Sequence, residues 1–208
     1  EGWMDDIRSG LDEERIERAT VFGVADGANA SLLLAATYPE RVERLILHRP
    51  FQKAGRVDDA LEWVRQVREH WGEREFLTGI ARHLNPQLAE DEEYLDWFVW
   101  NHRQSSSPAS AAEYWRMQAA TDITDIVGAV RVPTLVTAIA DDRDGIDLAA
   151  KLPSGTCVVY PGSGASPFQA AVVEAVLAFV RGEAARPVPD TVLATVLFTD
   201  LVGSTAIA

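Results

Sequence analysis

Five consecutive residues, Gly23-Val24-Ala25-Asp26-Gly27, have the spacing of a reactive turn, with glycines two positions before and after a central residue. They follow the short apolar run 19–24 and precede a helix-compatible stretch, 29–38. In the pattern G-x-S-x-G, small residues let a nucleophilic side chain sit on a strained strand-to-helix turn. The central residue here is Ala25, and a methyl group cannot attack a carbonyl carbon. The sequence therefore predicts a nucleophile's turn without the nucleophile.

Asp26, the next residue in the chain, has two interpretations. Its carboxylate could act as an alternative nucleophile. It could instead be a solvated acid in the first turn of the following helix, where the helix macrodipole favours a negative charge. Asp26 lies one residue past the apex of the turn, so its side chain is expected to point away from the nucleophile's position. The sequence favours the second interpretation.

Apolar runs without alternation predict an α/β fold with a mostly parallel sheet buried on both faces. An amphipathic helix is expected before the first run and another after the last. The stretch between the second and third strands is rich in tryptophan at helical spacing, which predicts a helical insertion rather than more sheet. The predicted strands are 19–24, 44–47, 132–139 and 156–160, the predicted terminal helices are 3–18 and 168–180, and the insertion is 51–130.

The turn, the run Ala35-Ala36-Thr37-Tyr38-Pro39-Glu40-Arg41-Val42 after it and the order of elements resemble the α/β-hydrolase family over residues 1–182. The resemblance implies a mostly parallel sheet whose helical cap is the insertion at 51–130. It also implies strands before the turn that this sequence lacks, so the chain is expected to be a window cut from a longer polypeptide.

The same resemblance implies where a catalytic triad would stand. Ala25 occupies the nucleophile position, and Asp142 in Ala-Asp-Asp-Arg matches the acid turn. Ala165, between Pro161-Gly162 and Pro167-Phe168, stands where the histidine belongs. Two of three positions are therefore alanine, which implies an inactive hydrolase site that needs no cofactor. None of the four histidines, His48, His70, His83 and His102, lies on the expected loop.

Five tryptophans of the insertion have two interpretations. They could line a small-molecule pocket where the cap covers the carboxyl ends of the strands. They could instead form the hydrophobic core of the cap, which is the more frequent role of such residues. The five are Trp63, Trp71, Trp97, Trp100 and Trp115.

The C-terminal segment 194–205 resembles the first strand of a class III adenylate/guanylate cyclase domain, over about 15 residues. That resemblance implies a metal-binding carboxylate at Asp200, a backbone carbonyl ligand at Leu201, Mg²⁺ or Mn²⁺, and ATP or GTP as substrate of the parent chain. The alternative is a strand with a chance Phe-Thr-Asp. Residues 183–192, with Pro187 and Pro189, are predicted to be a linker, and 193–208 the start of the cyclase domain.

The two resemblances lead to a first functional hypothesis. It is a catalytically degenerate hydrolase-like domain that regulates a class III cyclase, with a ligand under the cap and a homodimeric assembly. Two alternatives stay open: an active, esterase-like α/β hydrolase with a non-standard catalytic set, and a structural dimerisation domain.

Composition excludes other classes. The formal net charge is −13, which argues against binding nucleic acid or an anionic membrane surface, because both need clustered Lys and Arg. Cys157 is the only cysteine, so no disulfide can form within the chain. The sequence has no membrane-spanning apolar run and no signal peptide at its first residues, which predicts a cytoplasmic location.

Overall fold

The computed structural model describes residues 2–52, 57–161 and 166–183. Its centre is a four-stranded, all-parallel sheet with the order β1-β2-β3-β4. The strands are β1 Ala19–Val24, β2 Val42–His48, β3 Thr134–Ile139 and β4 Gly155–Tyr160. The predicted α/β class with a mostly parallel sheet is confirmed.

Successive residues of β2 pack against opposite layers of helices. Leu45 and Leu47 join a core with α1 (Gly2–Glu13), α2 (Asp26–Thr37) and α7 (Arg143–Lys151). Ile46 instead packs against α8 (Ala170–Val180) on the other face. Both faces of the strand are therefore covered, which explains why its sequence is continuously apolar rather than alternating.

In the described part of the chain between β2 and β3, four α-helices occupy the region that the tryptophan spacing assigns to an insertion. They are α3 Val57–His70, α4 Arg74–Leu84, α5 Glu92–Ser105 and α6 Pro108–Ala119. Two begin at side-chain caps: Asp91 accepts a hydrogen bond from the Tyr94 N–H, and Ser107 accepts one from the Ser110 N–H. The insertion has hydrophobic clusters of its own, which identify it as a helical layer distinct from the sheet.

Two helix boundaries differ from the sequence prediction. The first helix ends at Glu13 rather than at residue 18, because Arg15 takes a positive φ of 57° and the chain turns toward β1. The second begins at Asp26, immediately after the turn, instead of at residue 29. None of the helices in the described residues is long and apolar enough to cross a membrane.

Candidate active site

A strained backbone turn joins β1 directly to α2. Ala25 has φ 49° and ψ −113°, a conformation that an L-residue rarely adopts. Its N–H donates to the carbonyl oxygen of His48 at 3.0 Å, which ties the turn to the end of β2. The turn therefore has the geometry that presents a side chain above the sheet, and the side chain at that point is the Ala25 methyl group.

The two glycines of the turn have unequal roles. A Cβ atom at Gly23 would lie 2.5 Å from both the Ala28 Cα and the Gly27 carbonyl oxygen, so only glycine lets the helix approach the strand this closely. A Cβ at Gly27 would meet no atom within 4 Å. The expectation that small residues are needed on both sides of the centre therefore holds at Gly23 and fails at Gly27.

Asp26 is the first residue of α2 and is half-buried. Burial raises the pKa of its carboxyl group to about 6, against a smaller lowering by a hydrogen bond from its own backbone N–H. An ordinary aspartate is fully ionised well below this pH. Asp26 is therefore a carboxylate at neutral pH, yet a distinctly stronger base than an exposed one.

A cavity of about 300 Å³ opens beside Asp26. Residues of α1, α2, α6 and the segment after α6 line it: Gly2, Trp3, Met4, Asp26, Asn29, Ala30, Leu33, Met117, Gln118, Thr121 and Ile123. Asn29 is only 6% exposed, and neither its Nδ2 nor its Oδ1 has a hydrogen-bond partner among the described residues. The cavity thus combines apolar walls with one titratable and one unsatisfied polar side chain.

The acid turn after β3 is a second polar centre. Asp142 caps α7, because its Oδ1 accepts a hydrogen bond from the Gly145 N–H at 3.1 Å. Its Oδ2 is buried without a hydrogen-bond partner among the described residues, and the Arg49 Nε lies 3.9 Å away. Burial raises the pKa of Asp142, while the Gly145 N–H and Arg49 lower it. The Oδ1 atom therefore caps α7, and the Oδ2 atom is left without a hydrogen-bond partner among the described residues.

Two further groups lie close to the Asp142 carboxylate. Its charge, together with burial, raises the pKa of the Cys157 thiol and of the Tyr160 hydroxyl, with burial the larger cause for both. The Tyr160 ring stacks on His48, whose Nδ1 lies 2.9 Å from the Thr137 Oγ1 inside the sheet. His48 is fully buried in this arrangement, which makes it a packing residue of the strands.

The structure does not gather the five tryptophans around one cavity. Trp63, Trp71 and Trp115 pack against α3 and α6 in a cap cluster, as the core interpretation expects. Trp97 and Trp100 are 54% and 61% exposed on α5. The tryptophan that lines the cavity beside Asp26 is Trp3, which the sequence interpretation had placed only on an amphipathic helix.

Several predicted site residues lie outside the described residues. Ala165, Asp200 and Leu201 are among them, so the histidine position and the metal ligands stay predictions.

Two histidines of the helical insertion have partners within it. His70 pairs with Glu73, and the Nδ1 of His102 donates to the Phe98 carbonyl oxygen. Within residues 2–52, 57–161 and 166–183, no group of three or more His, Cys, Asp and Glu residues could hold a metal ion.

Sequence reasoning missed Asn29, because its stretch was read simply as an apolar helix. The available signal was a lone amide within the run Ala28-Asn29-Ala30. A polar residue in such a run is either exposed to solvent or buried for a specific role, and only the tertiary structure shows which of the two applies. Burial at 6% without a described partner identifies it as a functional candidate.

Hydrolases are among the known proteins to which this chain is similar in sequence and in fold. The chain is 31% identical to "Putative carbamate hydrolase RutD" of Caulobacter sp. (strain K31), over 87% of this chain and 72% of that protein. No family model matches the chain. The fold and the strained turn define an α/β hydrolase architecture. Given the extent of the RutD match, the chain belongs to the α/β-hydrolase family.

Solved structures share the fold. A hydrolase from Pseudomonas aeruginosa PA01 superposes with a TM-score of 0.75 at 24% identity, covering 85% of this chain and 70% of that one. The enol-lactonase of Burkholderia xenovorans LB400 superposes with a TM-score of 0.74 at 19% identity, covering 86% and 71%. At these identities the similarity establishes the architecture alone.

The hypothesis that this chain regulates a class III cyclase is wrong. It depended on a resemblance over about 15 residues at the C-terminus, whereas the match to a hydrolase spans 87% of the chain. The three relatives described above are named as two hydrolases and an enol-lactonase, and none of them is named as a cyclase. The findings favour the alternative of an α/β hydrolase with a non-standard catalytic set.

Proposed function

We propose that the chain is a hydrolase that cleaves the bond beside a carbonyl group in a small molecule. Water, rather than a side chain, attacks the carbonyl carbon, and Asp26 is the general base. The observation that carries this proposal is the Asp26 carboxyl group, which lines the cavity beside the turn and has a pKa raised to about 6. The relatives named above, a carbamate hydrolase and an enol-lactonase, support a carbonyl substrate.

Water must be the attacking group at the turn because of Ala25. A serine, aspartate or cysteine there would form a covalent intermediate, and a methyl group forms none. A base with a pKa near the operating pH removes a proton from water most effectively, because it is both ionised and strongly basic. Asp26 meets that condition at neutral pH, and an exposed aspartate does not.

Helix α2 contributes a second effect, which acts on the carbonyl oxygen of the substrate. Its aligned peptide dipoles give its amino end a partial positive charge beside the cavity. Negative charge that develops on the carbonyl oxygen is stabilised there. The strained turn at Ala25 fixes the position of this helix end, and Asp26 and Asn29 of its first turns line the cavity.

Hydrolysis of the substrate then takes two steps. The water oxygen forms a bond to the carbonyl carbon while one of its protons passes to the Asp26 carboxylate. The bond from that carbon to the leaving oxygen or nitrogen breaks next, and the leaving group takes the proton back from Asp26. The chain is returned to its starting state.

Hydrolysis of 4-nitrophenyl acetate by the purified chain tests the proposal. The variant Asp26→Asn keeps the shape but loses the base, so kcat/KM is expected to fall by about 100-fold or more. Asp147→Asn, which removes an exposed carboxylate from α7, is the matched control and is expected to retain the full rate. Equal rates for the wild type and Asp26→Asn, or no rate above that of buffer, would overturn the proposal.

A further inference from the structure

We infer that the cavity beside α2 binds a primary carboxamide or a closely related group, in which a carbonyl oxygen and an NH₂ share one plane. The inference deepens the proposed function, since it names the chemical class that the same cavity takes, and it rests on that function only for turnover. Binding itself is argued from Asn29 and its surroundings.

Asn29 is the observation that points to a ligand. Its side chain is 6% exposed and lines the cavity, and both of its polar atoms lack a hydrogen-bond partner among the described residues. A buried polar group without a partner is costly, and native proteins keep few of them. An amide that lines a cavity in this state is set up for a partner that enters the cavity.

Two neighbouring polar residues of the cavity each donate a hydrogen bond within the chain. The Gln118 Nε2 donates to the Tyr114 hydroxyl at 2.9 Å. The Thr121 hydroxyl donates to the Met117 carbonyl oxygen at 3.0 Å. Asn29, by contrast, has neither its donor nor its acceptor engaged among the described residues, and we assign recognition of a ligand's polar end to Asn29 and Asp26.

The chemistry of an amide selects its partner. Asn29 offers a donor, Nδ2, and an acceptor, Oδ1, side by side. A group that satisfies both has a C=O beside an N–H, as a carboxamide does. An ester lacks the donor, and a carboxylate lacks it too and is repelled by the ionised Asp26. Asp26 lies three residues before Asn29, on the same side of α2, so its carboxylate can accept the second N–H of an NH₂ group.

The remaining walls favour an apolar body of limited size. Trp3, Leu33, Met117 and Ile123 supply aromatic and aliphatic surface around a volume of about 300 Å³. Such a cavity accommodates a single ring with one polar substituent. A ring bearing a primary carboxamide fits both the walls and the polar end.

Benzamide is the probe, and the whole chain is the sample, at pH 7.5. Titration followed by NMR is expected to show saturable binding of benzamide and to move the side-chain NH₂ resonance of Asn29. Methyl benzoate and benzoate, which have the same ring without the NH₂, are expected to bind at least tenfold more weakly. Equal binding of the three compounds, or an unmoved Asn29 resonance, would overturn the inference without any variant.

Two variants sharpen the test. Asn29→Leu is expected to weaken benzamide binding at least tenfold. Ser31→Ala, which alters another buried polar residue of α2 outside the cavity lining, is expected to leave it unchanged. Binding that depends on Asn29 without any hydrolysis would uphold this inference and defeat the proposed function. Hydrolysis with benzamide binding that ignores Asn29→Leu would do the reverse.

Discussion

Asp26 and Asn29 lie three residues apart at the start of α2, and both side chains line the cavity that α1, α2 and α6 enclose. One carries a carboxyl group whose pKa burial has raised to about 6, and the other a buried amide without a described partner. The two residues therefore have different roles at a small-molecule site: the Asp26 carboxylate can transfer a proton, and the Asn29 amide can orient a ligand.

Replacement of Asp26 is expected to change the pH dependence of stability. Because its pKa is about 6 in the folded chain and 3.8 in an ordinary aspartate, the folded state binds the proton more tightly than the unfolded state. Stability from this group is therefore complete below about pH 4 and is lost as the pH rises through 6. Urea unfolding should show that Asp26→Asn gains stability over the wild type at pH 7 to 8 and loses this advantage near pH 4. An advantage that grows toward acid pH would contradict the assignment.

Replacement of Asn29 is expected to stabilise the chain in the absence of ligand. Asn29→Leu removes two buried polar atoms that lack described partners and fills part of an adjoining cavity. We expect the free energy of unfolding to rise by about 1 kcal/mol. Thermal and urea unfolding measure this. A loss of stability of similar size would mean that the Asn29 amide is already satisfied in the folded chain.

The two glycines of the turn are expected to respond differently to alanine. Gly23→Ala places a Cβ 2.5 Å from backbone atoms of Gly27 and Ala28, so stability should fall by about 2 kcal/mol or more. Gly27→Ala meets open space within a helix and should be neutral or stabilising, by up to about 1 kcal/mol. Unfolding of the two variants side by side provides its own control, and equal losses would contradict the described turn.

A conventional triad can be rebuilt from this scaffold. The double variant Ala25→Ser, Ala165→His puts a hydroxyl on the strained turn and a histidine where the family resemblance places one. The same resemblance makes Asp142 the acid of that triad, and its buried Oδ2 has no hydrogen-bond partner among the described residues. We expect ester hydrolysis to increase at least tenfold, with a burst of 4-nitrophenol as an acyl-enzyme forms.

Neither single variant is expected to show that burst, because the serine without the triad histidine, and the histidine without the serine, both lack the covalent route. A double variant that folds and gains no activity would mean that position 165 does not reach Asp142. The two single variants therefore serve as the controls for cooperation between the introduced residues.

The sheet was predictable from the sequence because β2 is covered on both faces. Leu45 and Ile46 pack against opposite helical layers, and that burial leaves a continuous apolar run that is easy to recognise. The turn was predictable from its two glycines, although Gly23 alone is required by packing. Local rules of this kind need no knowledge of distant contacts.

The cavity could not be predicted in the same way. Trp3 and Asn29 belong to different helices, and nothing in their spacing indicates that they line one space. The cap tryptophans show the opposite: Trp63 and Trp97 have the same helical spacing in the sequence, yet Trp63 is half-buried by packing and Trp97 is exposed. Which face of a helix meets which neighbour is decided by tertiary packing.

The pH dependence of kcat/KM for 4-nitrophenyl acetate tests the central claim most directly. A general base with a pKa of about 6 predicts a rate that rises through pH 6 to a plateau in the wild type. In Asp26→Asn that inflection should disappear along with most of the rate. An inflection near pH 6 that survives in Asp26→Asn, or a rate with no inflection there in the wild type, would contradict the assignment of Asp26 as the catalytic base.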